Sequence, residues 1–416
     1  MEMSRKEQQI PAIRFNGFTD AWEQRKLGDV YTERNKRGND SLKILSVSIH
    51  HGVSNEELDS NILGKEVRRS EDKSLYKHVY LGDLVLNMMR AWQGAVGVVK
   101  SEAMVSPAYI TAVPSAELYP LFMDFYLRRD EAIGQMNNLS YGVTDFRKRL
   151  YWDSFVKVLC HIPTVAEQER ITVFFTHLDD TIALHQRQLD NYKALKKVML
   201  QKIFNQELRF KDQEGNNYPD WEKMALNELG ETYTGLSGKT KEDFGKGKGR
   251  FVTYMNVYSN PIADLAMTEN VEIKDGENQN EVCYGDIFFT TSSETPEEVG
   301  MSSVWLSHES KVYLNSFCFG YRLSSRSEGV ISPDFLGFQL RAPHIRKKII
   351  FLAQGSTRFN ISKSKLMDIV VYMPTIEEQN KITAFLLNVD SRIKHTIQSI
   401  ERLNMLKKAL LQQMFI

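Results

Sequence analysis

The chain has 416 residues, 42% hydrophobic and 25% charged, which is ordinary globular composition with room for a sizeable core. Lys plus Arg and Asp plus Glu both number 53, so the formal net charge is zero. That balance excludes a generally basic, histone-like protein and makes any nucleic-acid contact depend on local positive charge. Cys160, Cys283 and Cys318 stand far apart with no CxxC pair, which argues against a disulfide framework or zinc site and for a reducing compartment. The N-terminal MEMSRKEQQI has no apolar run, and no stretch approaches ~18 apolar residues. Neither a signal peptide nor a membrane span is expected.

Residues 12 to 162 read as a mixed α/β domain. Strand-like runs occur at 43–49, 83–88 and 95–99, and a short helical stretch at 121–127. Its loops carry polar and cationic side chains: Lys36 and Arg37; Arg68 and Arg69; Arg90, Trp92 and Gln93; Thr144, Arg147 and Lys148. Lys and Arg neutralise phosphates, whereas Arg, Gln, Asn and Ser/Thr also read base edges.

The pattern changes at Pro163. Thr164 and Glu167 have the spacing of a capping box, and a long helix follows. Apolar residues recur at heptad spacing through Ile171, Phe175, Leu178, Ile182, His185, Leu189, Tyr192 and Met199.

A second domain, 209–373, has strand-like runs at 251–257, 286–290 and 316–323 and a helical stretch at 333–340. Its candidate contact residues are Lys239, Lys241, Lys246, Lys248, Arg250, Ser292, Ser293, Thr357, Arg358, Asn360 and Lys363. From Pro374 the long-helix pattern returns. Thr375 and Glu378 repeat the box, and Ile382, Leu386, Val389, Ile393, Thr396, Ile400, Leu403 and Leu410 form the seam.

The two helical segments are an internal repeat. They align without a gap over ~42 positions at an offset of about 211, with roughly 15 identities. The repeat continues upstream more loosely. Trp22-Glu23 and Leu27 match Trp221-Glu222 and Leu226; Gly82-Asp83 matches Gly285-Asp286; the Gly142 to Phe146 loop matches Gly355 to Phe359. The organisation is therefore domain (1–162), helix (163–208), domain (209–373), helix (374–416). A helix of ~40 residues, or ~60 Å, is not stable alone with one apolar stripe, so the two stripes are expected to face each other as an antiparallel coiled coil. His185 and Thr396 occupy equivalent seam positions, where a polar residue sets register or, for His185, binds a metal.

Several chemistries are missing. Gly235 to Thr240 lacks the first glycine of a phosphate-binding loop, since Tyr233 stands there, and Gly245 to Gly249 does not match G-x-G-x-x-G. There is no G-x-S-x-G, no H-E-x-x-H and no Asn-Pro-Pro-aromatic element, and His50-His51 has no evident third ligand. Glu294, Glu297 and Glu298 lie in a Thr/Ser/Pro-rich loop that the first half does not match.

The ordered set of motifs resembles the specificity subunit of type I restriction-modification systems. It comprises Trp-Glu with a following Leu in each half, the Gly-Asp-apolar strand, the Gly-Ser-Thr-Arg loop at 355–358, and the Pro-Thr-x-x-Glu-Gln helix start with its Leu-Lys-Lys end. Asp145 departs from the Arg of the second half. The resemblance implies two target recognition domains, each reading half of a split, asymmetric site in double-stranded DNA. It implies spacer helices that hold the domains about one helical turn apart, roughly 34 Å. It also implies no catalytic residues and no cofactor in this chain. Partners would be two methylation subunits carrying S-adenosylmethionine and restriction/translocase subunits using ATP and Mg2+, in a prokaryotic cytoplasm. Arg170, Arg187, Lys193, Lys196, Lys197, Lys394, Arg402, Lys407 and Lys408 on the outer helix faces are candidate docking residues or simple solvation. A coiled-coil scaffold presenting two ligand- or protein-binding domains is the alternative. An enzyme acting on DNA by itself lacks a catalytic constellation.

Overall fold

The computed structural model describes residues 10–39, 41–49, 52–54, 75–142 and 148–416. The chain forms two compact units, residues 1–186 with 398–416 and residues 187–397. Each long helix therefore contributes one part to each unit.

In the first unit, a four-stranded antiparallel sheet has the order Tyr31–Glu33, Tyr109–Pro114, Leu84–Asn87, Val96–Val98. Ala103–Val105 pairs in parallel with Ile44–Leu45 and antiparallel with Lys77–Val79. Glu23–Lys26 pairs with Leu159–Ile162. The second unit repeats this plan. Its four-stranded sheet runs Gly230–Thr234, Cys318–Leu323, Ile287–Thr290, Ser302–Val304. Phe244–Val252 pairs in parallel with Val312–Leu314 and antiparallel with Thr268–Val271, and Glu222–Ala225 pairs with Val370–Met373.

The Gly-Asp pair builds the same corner in both. Gly82 and Gly285 sit at φ of 91° and 88°, and a Cβ there would press on Pro120 or Pro333. Asp83 accepts from the Tyr80 amide and Asp286 from the Cys283 amide, both at 2.8 Å. Arg34 and Arg322 close each corner with ion pairs to those carboxylates.

The helices span Val165–Phe204 (40 residues) and Ile376–Gln413 (38 residues). Ile171, Phe175, Leu189 and Ile203 are buried along the first, and Ile382, Leu386, Val389 and Thr396 along the second. The remaining expected seam residues, His185 among them, are half-buried. The pairing is antiparallel inside each unit. In the first, Phe175 packs on Phe415 and Asp179 pairs with Lys407 at 2.5 Å. In the second, Tyr192 meets Arg392 and Lys196 pairs with Asp390 at 2.5 Å. Lys196 and Lys407 therefore hold the seam and do not form an outer docking face.

The repeated helix starts do more than cap. Glu167 is fully buried and accepts a bidentate pair from Arg14 at 2.6 and 2.7 Å. Glu378, also fully buried, accepts from Arg209 at 3.2 and 2.7 Å and from the Trp221 indole at 3.1 Å. At the second start the Thr375 hydroxyl accepts from the Glu378 amide at 3.5 Å, which is half of the expected box; the other half is replaced, each glutamate reaching the segment that opens its domain. The next residue repeats the symmetry. Gln168 bonds the Tyr119 amide and the Glu117 and Pro163 carbonyls; Gln379 bonds the Ser332 amide and the Val330 and Pro374 carbonyls. Trp22 packs on Phe122 and Phe415, as Trp221 packs on Phe335 and Phe204.

Two local expectations change. The run 251–257 is strand only to Val252. Thr253 then accepts from the Asn256 amide at 3.2 Å and caps the helix Tyr254–Ser259. The run 43–49 splits into Ile44–Leu45 and Val47–Ser48. Helices Asp130–Leu139 and Pro343–Phe351, unmarked in the sequence reading, follow the expected ones in each unit.

Candidate nucleic-acid interface

The strand after each Gly-Asp corner ends in a polar loop, and that loop meets the segment leading back toward the long helix. In the second unit Ser292–Ser293 pairs antiparallel with Phe359–Asn360, Ser292 opposite Asn360. The Ile361 amide adds a bond to the Thr291 carbonyl at 3.1 Å. In the first unit the Leu150 amide donates to the Met88 carbonyl at 2.9 Å, and the Lys148 ammonium lies 5.7 Å from the Trp92 ring. Arg90 and Gln93 are exposed beside Trp92. The fold thus brings together Arg90, Trp92, Gln93 and Lys148 in one unit and Ser292, Ser293, Arg358 and Asn360 in the other.

Gly355 makes the second loop possible. Its φ is +135°, and a Cβ there would lie 2.0 Å from the Arg358 carbonyl oxygen. Gln354 and Asn360 close the loop with two backbone bonds of 2.9 and 2.8 Å. Gly355→Ala is expected to open it. Amide exchange at Asn360 should accelerate by roughly tenfold or more, since backbone strain of this kind costs about 1–3 kcal/mol. Unchanged protection of Asn360 would show that the loop does not depend on this glycine.

The other expected contact residues divide. Lys36 and Arg37 are exposed; the Lys36 ammonium bonds the Tyr80 hydroxyl. Lys241 and Lys248 are exposed, and Lys246 forms a surface pair with Glu272 at 3.0 Å, easily exchanged for a phosphate. Thr357 is exposed, and the Lys363 ammonium sits 5.3 Å over the Phe319 ring. Two residues are corrected. The Lys239 side chain is 4% exposed, paired with Glu277 at 2.5 Å and bonded to the Glu272 carbonyl, so its charge serves the fold. That contact, with bonds from the Lys274 amide and Gln279, holds the Glu277 carboxyl down to about 2. Arg250 is half-buried and donates to the Leu265 carbonyl. Arg68, Arg69, Thr144 and Arg147 lie outside the described residues.

Sequence reasoning missed three exposed cations, Lys347 and Lys348 on Pro343–Phe351 and Lys365 on Lys363–Met367. They line one open cavity of about 630 Å3 with Phe351, which is 90% exposed. The signal was the HIRKKIIF run. Among the described residues no group of three or more His, Cys, Asp or Glu could hold a metal ion, and no helix is long and apolar enough to cross a membrane.

Each unit packs an α/β sheet domain with polar and cationic loops against parts of both long helices, and known proteins share this plan. Residues 218–405 match the family described as type I restriction modification DNA specificity domain. The specificity subunit of the type I restriction enzyme MjaVIII of Methanocaldococcus jannaschii is 21% identical over 70% of this chain and 68% of its own. The S subunit of the type I system of M. genitalium superposes with a TM-score of 0.57 over 98% of this chain and 99% of that one, at 13% identity. A structure concerned with complex assembly and conformational transition of the type I R-M system gives 0.54 over 96% and 99%, at 17% identity. Residues 218–405 thus carry a type I restriction modification DNA specificity domain, and the two solved structures share the fold along nearly the whole chain.

Proposed function

We propose that each unit reads one part of a bipartite, asymmetric DNA site, the first through Arg90, Trp92, Gln93 and Lys148 and the second through Ser292, Arg358 and Asn360. Partner methylation subunits, supplying S-adenosylmethionine, modify adenine at that site. With ATP- and Mg2+-using restriction subunits the assembly cuts DNA, in the prokaryotic cytoplasm. One observation carries the reading: the loop after the Gly-Asp strand and the segment before the long helix meet in both units, with different side chains in each. A shared scaffold with divergent loop tips is what two different half-sites require.

The test is a genome-wide map of N6-methyladenine with and without the gene. Loss of methylation at one split, asymmetric motif is expected. Where the system is active, an unchanged map favours a scaffold joining two ligand-binding domains. The helices add a second expectation. Inserting one heptad into each should change the unread gap and leave both half-sites as they were; altered half-sites would sink the spacer role.

A further inference from the structure

Resting on that reading, we propose that the second unit recognises a C·G base pair, with Glu298 accepting from the cytosine amino group and Arg358 donating to guanine. Both side chains line one cavity of about 400 Å3, together with Tyr254, Tyr258, Ser292 and Phe317. Phe317 is 59% exposed, so its ring is presented to whatever enters.

Glu298 is a prepared acceptor. Its Oε1 accepts from the Tyr258 hydroxyl at 2.7 Å and its Oε2 from the Ser293 hydroxyl at 2.9 Å. These bonds fix the carboxylate plane and hold its pKa below the ordinary range, so it is ionised and cannot donate. Further lone-pair capacity remains on both oxygens. A fixed anion on a DNA-facing surface repels phosphates. Its favourable use there is to accept from a base amino group, and Glu or Asp matches cytosine N4 in the major groove. Arg358, exposed on the loop that Gly355 turns, offers the planar fork that matches guanine O6 and N7. One base pair presents both edges side by side.

The support beneath the cavity points the same way. Arg346 is buried and donates to the carbonyls of Glu297, Val299 and Gly300 at 2.8, 2.8 and 2.7 Å. Arg341 donates to the carbonyls of Val257, Tyr258 and Asn260 at 2.9, 3.0 and 3.1 Å. Burial lowers both guanidinium groups to about 10, so both remain charged. The loop carrying Glu298 is thus clamped by the buried Arg346 and the helix end carrying Tyr258 by the half-buried Arg341. Such rigidity is what a base-reading acceptor needs.

The experiment selects duplexes from a randomised pool with the full chain and sequences the winners, for the wild type, Glu298→Gln, Arg358→Ala and Glu294→Gln. The wild type should select a two-part motif with a C·G pair in one part. Glu298→Gln exchanges one acceptor for a donor. It should weaken that preference by about tenfold to a hundredfold and admit A·T there, while the other half-site persists and reports a folded chain. Arg358→Ala should relax the same pair, and Glu294→Gln should leave the motif alone. A motif unchanged by Glu298→Gln, or variants that relax different pairs, overturns the inference and leaves the DNA reading standing. A wild type that selects no motif overturns both.

Discussion

Arg209→Ala should destabilise the second unit by about 3–5 kcal/mol. The reason lies in what the change leaves behind. Glu378 is fully buried, and its carboxylate is neutralised by the bidentate guanidinium. Without Arg209 the carboxylate keeps the Trp221 indole as its hydrogen-bond donor among the described residues. An unpaired buried carboxylate must stay desolvated, take up a proton, or pull the helix start apart to reach water. Arg209→Lys should recover part of the loss, because an ammonium serves one oxygen well but not both. Replacing both partners by apolar residues should recover more. Urea unfolding followed on a probe inside residues 187–397 reads these effects, and a loss below about 1 kcal/mol would remove the pair from the account of stability. Arg14→Ala is the matched experiment for Glu167 in the first unit.

Removing Lys347, Lys348 and Lys365 together should flatten the salt dependence of DNA binding without changing the selected motif. If each meets a phosphate, the slope of log affinity against log salt falls in magnitude by about 0.9 per contact, or about 2.7 in all. Between about 50 and 200 mM salt the wild type would then lose about 40-fold more affinity than the variant. These side chains are exposed around Phe351, so the triple change carries little folding cost. An unchanged slope would place the DNA on another face; a changed motif would make them base readers.

Much of the frame was legible in the sequence because it is periodic or repeated. The helix starts at Pro163 and Pro374 and the heptad lines through Ile171 and Ile382 recur at one constant offset, and the Gly-Asp corners recur in the same order at a drifting one. Their burial follows from one apolar stripe per helix. The remainder was hidden for physical reasons. Arg14-Phe15 and Arg209-Phe210 are also a repeat, Phe15 on Phe174 and Phe210 on Phe385, but two residues at a drifting offset do not stand out. Thr164-x-x-Glu167 looks local, and only folding brings Arg14 to the glutamate. Lys239 reads as a loop cation because no sequence pattern announces Glu277, 38 positions away, as its partner. At Thr253 one hydroxyl turns a strand into a helix, a choice that apolar alternation alone does not reveal. Within the site, the cations and the Gly-Ser-Thr-Arg loop were visible as types. The role of Glu298 was not, because it depends on two hydroxyls from separate elements.

The division of the chain carries a consequence for how the protein comes into being. The second unit is continuous, from Arg187 to Ile397, and has all its residues once the chain has grown that far. The first unit is not. Phe415 packs against Trp22, Phe122 and Phe175, and the Ile13 amide bonds the Gln413 carbonyl. The domain translated first is therefore completed last, after its partner has had time to fold. In the interval the apolar socket around Trp22 stands open to chaperones, proteases and other nascent chains. Loss of residues 398–416 would strike the half that precedes residue 187.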